Sequence, residues 1–189
     1  MQTVQFTQMR DGTKAEYDLL HEMERHYIAA LPDRILGALR ALDDGLGGYR
    51  ISRLQHSLQA ATRAERDGAD SDWVVAALVH DIGDALAPEN HSQLAAAVIR
   101  PYVRAEVTWA VLMPGVFQQH YYGHHLGLDP DAREAHRDHE WFAACERFCE
   151  RWDQASFDPD YPTEALEHFE PMLRDVFGRA AFDPAIVGE

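Results

Sequence analysis

The sequence is poor in positive charge: 17 lysines and arginines stand against 32 aspartates and glutamates, for a formal net charge of -15. Such a surface repels nucleic-acid phosphates and anionic lipid headgroups. It excludes a nucleic-acid binder or a membrane-surface protein, and it requires any anionic substrate to be drawn in by a local cation. Cysteine is equally scarce. Cys145 and Cys149 stand four apart in a helix-like stretch, a spacing that suits two thiols packed in a core better than a disulfide. No apolar run approaches the roughly 20 residues that span a bilayer. The opening MQTVQFTQMR has no apolar segment of the signal-peptide kind, and a cytoplasmic location is the expectation. Internal repeats, low-complexity tracts and period-two alternation are also missing, which argues against solenoids, disordered tails and sheets.

What is present is helical punctuation. A chain of 189 residues, 46% hydrophobic and 26% charged, has the size and composition of one globular domain, so a single all-α domain over 1–189 is expected. Thr13-Lys14-Ala15-Glu16 reads as a capping box ahead of Leu19, Leu20, Met23 and Tyr27, and Pro32 opens a second helix that ends in DDGLGG. Further helices are expected at about 52–66, 71–84, 90–100, 101–112, 116–125, 138–154 and 162–176. The run WVVAALV is rich in β-branched residues, but Ala76 and Ala77 interrupt it and polar caps precede it, so it reads as buried helix. Pro114-Gly115 and the loop FDPDYP break the pattern. The resulting organisation is a pair of N-terminal helices, 13–43, packed on a core of 50–155, followed by a C-terminal helix, 162–177.

The chemistry lies on the apolar faces. His80 follows Trp73, Ala76 and Ala77 at helical spacing, and Asp81 follows Val74, Ala77 and Leu78 in the same way. A buried carboxylate needs a cation, an ion pair or hydrogen bonds. Imidazole and carboxylate together are ligands for zinc, iron, manganese and similar ions, although a buried His-Asp hydrogen bond is a common structural feature too. His56 in RLQHSLQAA and Asp153, at the end of the stripe Phe142, Cys145, Cys149, Asp153, extend the set to four groups on three helices.

The order His56, His80-Asp81, Asp153, with HDIGD in the middle, resembles the signature of the HD superfamily of metal-dependent phosphohydrolases and oxygenases. The resemblance implies a helical bundle in which those four residues bind a metal. The segments DGTKAEYDLL, GGYRISRLQHSLQAATRAERDGAD, HDIGDALAPENH, LAAAVIRPYV, HHLG and RWDQASFDPDY are similar to a small bacterial group of predicted HD phosphohydrolases. That group is related to the mixed-valent di-iron organophosphonate oxygenases and, more distantly, to myo-inositol oxygenase. In the oxygenase branch a second iron is held by the aspartate of the HD pair and two further histidines. His91 matches the first; where the second is expected the chain reads Leu112-Met113-Pro114-Gly115. Proline has no donor side chain and a thioether suits hard ions poorly, which leaves His120 as a substitute.

Three functions follow. The whole-chain resemblance puts an iron-dependent oxygenase first, using one or two irons and dioxygen to cleave a small polar, phosphorus-bearing substrate, with Tyr49 as a lid residue or an ordinary loop tyrosine. The alternative is a phosphohydrolase with one divalent ion, iron or otherwise manganese, cobalt, nickel or zinc, in which Asp84 orients a water or acts as base unless it merely pairs at the helix end. A third is a protein that keeps the fold for binding or regulation. Arg53 and Arg151, beside motif residues, are candidates for substrate binding, as are His120 and His124 near Tyr121 and Tyr122; the bland readings are solvent-facing arginines and helix packing. A small-molecule substrate is the expected partner.

Overall fold

Polar side chains decide where the helices begin. The computed structural model describes residues 2–188. Thr13 accepts from the backbone N–H of Glu16 while the Glu16 carboxylate accepts from Thr13 N at 2.9 Å, and this capping box opens α1, Lys14–Ala29. Pro32 sits in the first turn of α2, Leu31–Ala41, where its missing N–H costs nothing. A second capping box, Ser52 with Gln55, starts α3, Arg53–Arg66. The Asp70 carboxylate accepts from the N–H groups of Asp72 and Trp73 and starts α4, Ser71–Val79. Then follow α5 (His91–Ile99), α6 (Ala105–Leu112), α7 (Pro114–Phe117), α8 (Gln119–Leu126), α9 (Phe142–Arg147), α10 (Leu166–Phe177) and α11 (Pro184–Val187). No strand occurs among the described residues, and the fold is all-α. Among the same residues no helix is long and apolar enough to cross a membrane.

The centre of the molecule is α4. Every residue from Asp72 to Val79 is buried, so WVVAALV is a helix sheathed on all sides by α3, α6, α10 and the segment after α9. A helix satisfies its own backbone groups, which lets so apolar a segment sit in the middle without a sheet partner. Leu36, Leu39, Phe148, Trp152, Phe169 and Leu173 close the core around it. Cys145 and Cys149 are buried free thiols within this packing. By contrast α2 buries Ile35, Leu36 and Leu39, whereas α1 buries no residue.

Several helices are shorter than their periodicity predicts. The α4 helix stops at Val79, and 80–86 run on as tight turns, with Ile82 N bonded to Val79 O at 3.0 Å and Asp84 N to Asp81 O at 2.9 Å. The helix expected over 138–154 begins at Phe142 and changes pitch, becoming a π-helical turn over Phe148–Asp153 in which Gln154 N reaches Cys149 O at 3.0 Å. Such wide turns rotate the following side chains and recur at functional sites. The helix expected from 101 starts at Ala105, and that from 162 starts at Leu166. The helix expected over 116–125 instead begins at Pro114, in the first turn of α7, and is interrupted at Gln118 before α8.

The Ser52 cap bears directly on the chain entering the His56 helix. Ser52→Ala should lower stability by about 1 kcal/mol, read as a lower midpoint in urea unfolding with an unchanged slope.

Candidate metal centre

Three elements deliver four ionisable groups to one buried point. The α3 helix brings His56, the turn after α4 brings His80 and Asp81, and the π-helical turn brings Asp153; all four side chains are buried. His56 Nδ1 lies 2.9 Å from Ser156 O, and His80 Nδ1 lies 2.8 Å from Ala77 O. A carbonyl can only accept, so each Nδ1 carries a proton, and the lone pair that each ring can offer a metal is at Nε2. Those two Nε2 atoms are 3.1 Å apart. Asp153 Oδ1 stands 3.3 Å from the first and 3.6 Å from the second.

Two lone pairs and a carboxylate oxygen facing one another repel unless a positive charge lies among them. In the metal-free protein that charge is a proton: burial opposes it, but Asp81 and Asp153 outweigh burial and push the His80 pKa up to about 9. Burial also works against ionised Asp153 and Asp81, yet the adjacent histidines, with Arg53 beside Asp81, hold both carboxyls below their usual range. A divalent ion fits the same position. His56, His80 and Asp153 each offer one atom within 4.8 Å of the others, and Asp81 approaches both rings at 3.6 Å, Oδ2 to His56 and Oδ1 to His80. Two imidazoles with carboxylate oxygens suit zinc, iron, manganese and their neighbours.

Packing fixes the rings. Phe157 stacks on His56 at 4.3 Å between centroids, Tyr49 stacks on Phe157 at 5.0 Å, and Phe148 meets His80 edge-on at 5.6 Å. The group opens into a cavity of about 440 Å³ whose wall includes Tyr49, Arg53, His91, Gln118, Tyr121 and Tyr122. His91, half-buried at the start of α5, directs Nε2 to within 3.5 Å of Asp81 Oδ1, while its Nδ1 lies 3.3 Å from Pro88 O. Arg53 joins two acids, with Nη1 3.1 Å from Asp81 Oδ2 and Nε 3.4 Å from Asp84 Oδ2.

The structure thus brings Tyr49, Arg53, His56, His80, Asp81, His91 and Asp153 to one cavity, with Asp84 attached behind through Arg53. It does not bring His120, His124 or Arg151 there. Gln118, Tyr121 and Tyr122 share the inner face of α8 and its entry turn, so His120 and His124 fall on the exposed face. Arg151 points outward to Asp67 at 2.8 Å. Ser92, Gln118, Gln154 and Phe157 line the cavity without having been expected there; Phe157, four residues beyond Asp153, is the one that spacing alone could have suggested. The stretch from Leu112 to Gly115 reaches the wall as Pro114 and Gly115, which carry no donor.

An all-helical chain with a buried His-His-Asp cluster and an HD pair defines a class of metal-site bundles. Residues 53–154 match the HD domain family, and the chain belongs to it. That family consists generally of metal-dependent phosphohydrolases, so this is a protein of a metal-dependent, hydrolase-like superfamily. A comparison with curated proteins finds no significant match.

Gly83, the fourth residue of HDIGD, has no room for a side chain: a Cβ would lie 2.6 Å from His91 O and 2.9 Å from its Cα, both backbone atoms. Gly83→Ala should therefore displace the start of α5 and cost about 1–3 kcal/mol, measurable by chemical denaturation. Metal affinity should depend on pH with a defined sign. A divalent ion has to displace the His80 proton, so its apparent affinity should rise by about tenfold per pH unit through the neutral range and level off above a pH of about 9. Calorimetric titration across that range measures it; a flat profile would exclude displacement of this proton.

Proposed function

We propose that this protein is a phosphohydrolase that holds a single divalent ion with His56, His80, Asp81 and Asp153 and acts on a small, polar, phosphorus-bearing substrate. The observation that carries the reading is the pair of Nε2 lone pairs 3.1 Å apart with Asp153 Oδ1 beside both, a donor set aimed at one point. An ion bound there supplies Lewis-acid polarisation of a phosphoryl oxygen and lowers the pKa of a water. The protein supplies the rest. Gln118 and Gln154 offer uncharged donors at the wall. Burial pushes the Tyr121 hydroxyl up to about 12, so it remains a proton-bearing donor at neutral pH. Arg53 is held by Asp81 and Asp84 and has little freedom to swing toward substrate. The Tyr49-Phe157-His56 stack shields the ion position on one side from water.

A second reading, the iron-dependent oxygenase, draws on His91: its Nε2 beside Asp81 Oδ1 is the start of a second ligand set. Among the described residues no imidazole or carboxylate beyond His56, His80, Asp81, His91 and Asp153 lines the cavity, which favours the one-ion chemistry.

Purified protein loaded with manganese, cobalt, zinc or iron(II) separates the two by phosphate release from small phosphomonoesters against oxygen consumption. Under the hydrolase reading His80→Ala and Asp81→Ala each weaken ion binding by more than roughly 100-fold, beyond the usual effect of residues behind the ligands, while His91→Ala leaves it within about tenfold. Oxygen consumption that requires His91 and a second iron would replace this reading with the oxygenase.

A further inference from the structure

We infer that the Arg53 guanidinium takes the place of a second cation in this centre, so that the protein holds one divalent ion per chain and excludes another. The inference rests on the reading that His56, His80, Asp81 and Asp153 hold a divalent ion, and it concerns the carboxylates that this ion leaves over. Asp81 has two oxygens with different surroundings. Oδ1 faces His80 and His91, at 3.6 Å and 3.5 Å. Oδ2 faces His56 at 3.6 Å and Arg53 Nη1 at 3.1 Å. Asp84 repeats the pattern, with Oδ2 3.4 Å from Arg53 Nε and Oδ1 3.9 Å from His91 Nδ1. The donors left for a second ion, Asp81, Asp84 and His91, thus surround a position next to which a fixed positive charge already stands.

That charge is built in rather than incidental. Arg53 is the first residue of α3, one turn before His56, and its start is set by the Ser52 capping box. Only 14% of its side chain is exposed, and the Tyr49 ring lies 5.2 Å from its Cζ on the outer side. Both of its carboxylate contacts thus come from a half-buried side chain with a planar fork of donors. The charge count agrees. Three carboxylates, those of Asp81, Asp84 and Asp153, stand against one guanidinium, and the two negative charges remaining are cancelled by a single divalent ion. A second would leave uncompensated positive charge beside the guanidinium, where like charges repel. The wall opposes it as well, since Pro114 and Gly115 offer no donor. In this arrangement Arg53 is a positioning residue: it fixes Asp81 and Asp84 without itself touching the ion.

The test uses the full chain and manganese(II), with elemental analysis for the count and electron paramagnetic resonance for coupling. The native protein should bind one ion per chain and give an uncoupled manganese signal, and so should Arg53→Lys, which keeps the charge. Arg53→Gln, which removes it, should admit a second ion and show a coupled signal; circular dichroism of each metal-free variant checks that it is folded. If Arg53→Gln does not fold, Arg53→Ala, which also removes the charge, decides by the same count: two ions support the inference and one overturns it. Two ions in the native protein, or a count of one in folded Arg53→Gln, overturns the inference and leaves the four-residue centre standing. No ion in any form overturns the centre itself.

Discussion

Two imidazole Nε2 atoms 3.1 Å apart, pressed against buried carboxylates, form an arrangement that needs positive charge to exist. Most of what is unusual in the structure serves it. Helix α4 is sheathed on all sides, so that His80 and Asp81, directly after its last turn, emerge into the core rather than at the surface. The backbone carbonyls of Ala77 and Ser156 take the Nδ1 protons and thereby aim both Nε2 lone pairs at the same point. Without those two carbonyls the rings could flip or change tautomer, and the donors would no longer converge.

The irregular backbone has the same origin. A regular helix through Phe148–Asp153 would advance Asp153 by an ordinary turn; the π-helical turn adds a residue and sets its carboxylate opposite the histidines. The turn following α4 brings Asp84 back to within one hydrogen-bonded turn of Asp81, where Arg53 can hold both. Gly83 allows the start of α5 to approach closely enough for His91 to reach Asp81. The turn after α4, the close approach at Gly83 and the π-helical turn therefore all lie at the charged centre.

Much of this was legible in one dimension. The capping boxes at Thr13 and Ser52, the helical nature of WVVAALV and the inward faces carrying His56, His80, Asp81 and Asp153 are all consequences of local chemistry or of periodicity, and both act within a few residues. The exact helix ends were less legible. Periodicity continues past Val79 because His80 and Asp81 do lie inward, but they do so from a turn rather than from helix. Residues assigned by proximity in sequence fared differently: Arg53 shares the face of His56, whereas Arg151, two residues before Asp153, points away to Asp67, and His120 and His124 are exposed and stay outside the cavity wall that Tyr121 and Tyr122 line.

By itself the sequence determined the helical class and the identity of the buried ionisable residues, because burial of a polar side chain on an apolar face is written in spacing. Only the tertiary structure decided which of those groups meet, which nitrogen of each imidazole is free, and that Arg53 is tied between Asp81 and Asp84. Apart from the Nδ1 bond of His80 to Ala77, three positions away, those outcomes depend on contacts across 24 to 100 positions of the chain, from His56 with His80 to His56 with Ser156. Local spacing carries no information about such distant partners; the packing of α3 against α4 and against the π-helical turn supplies it.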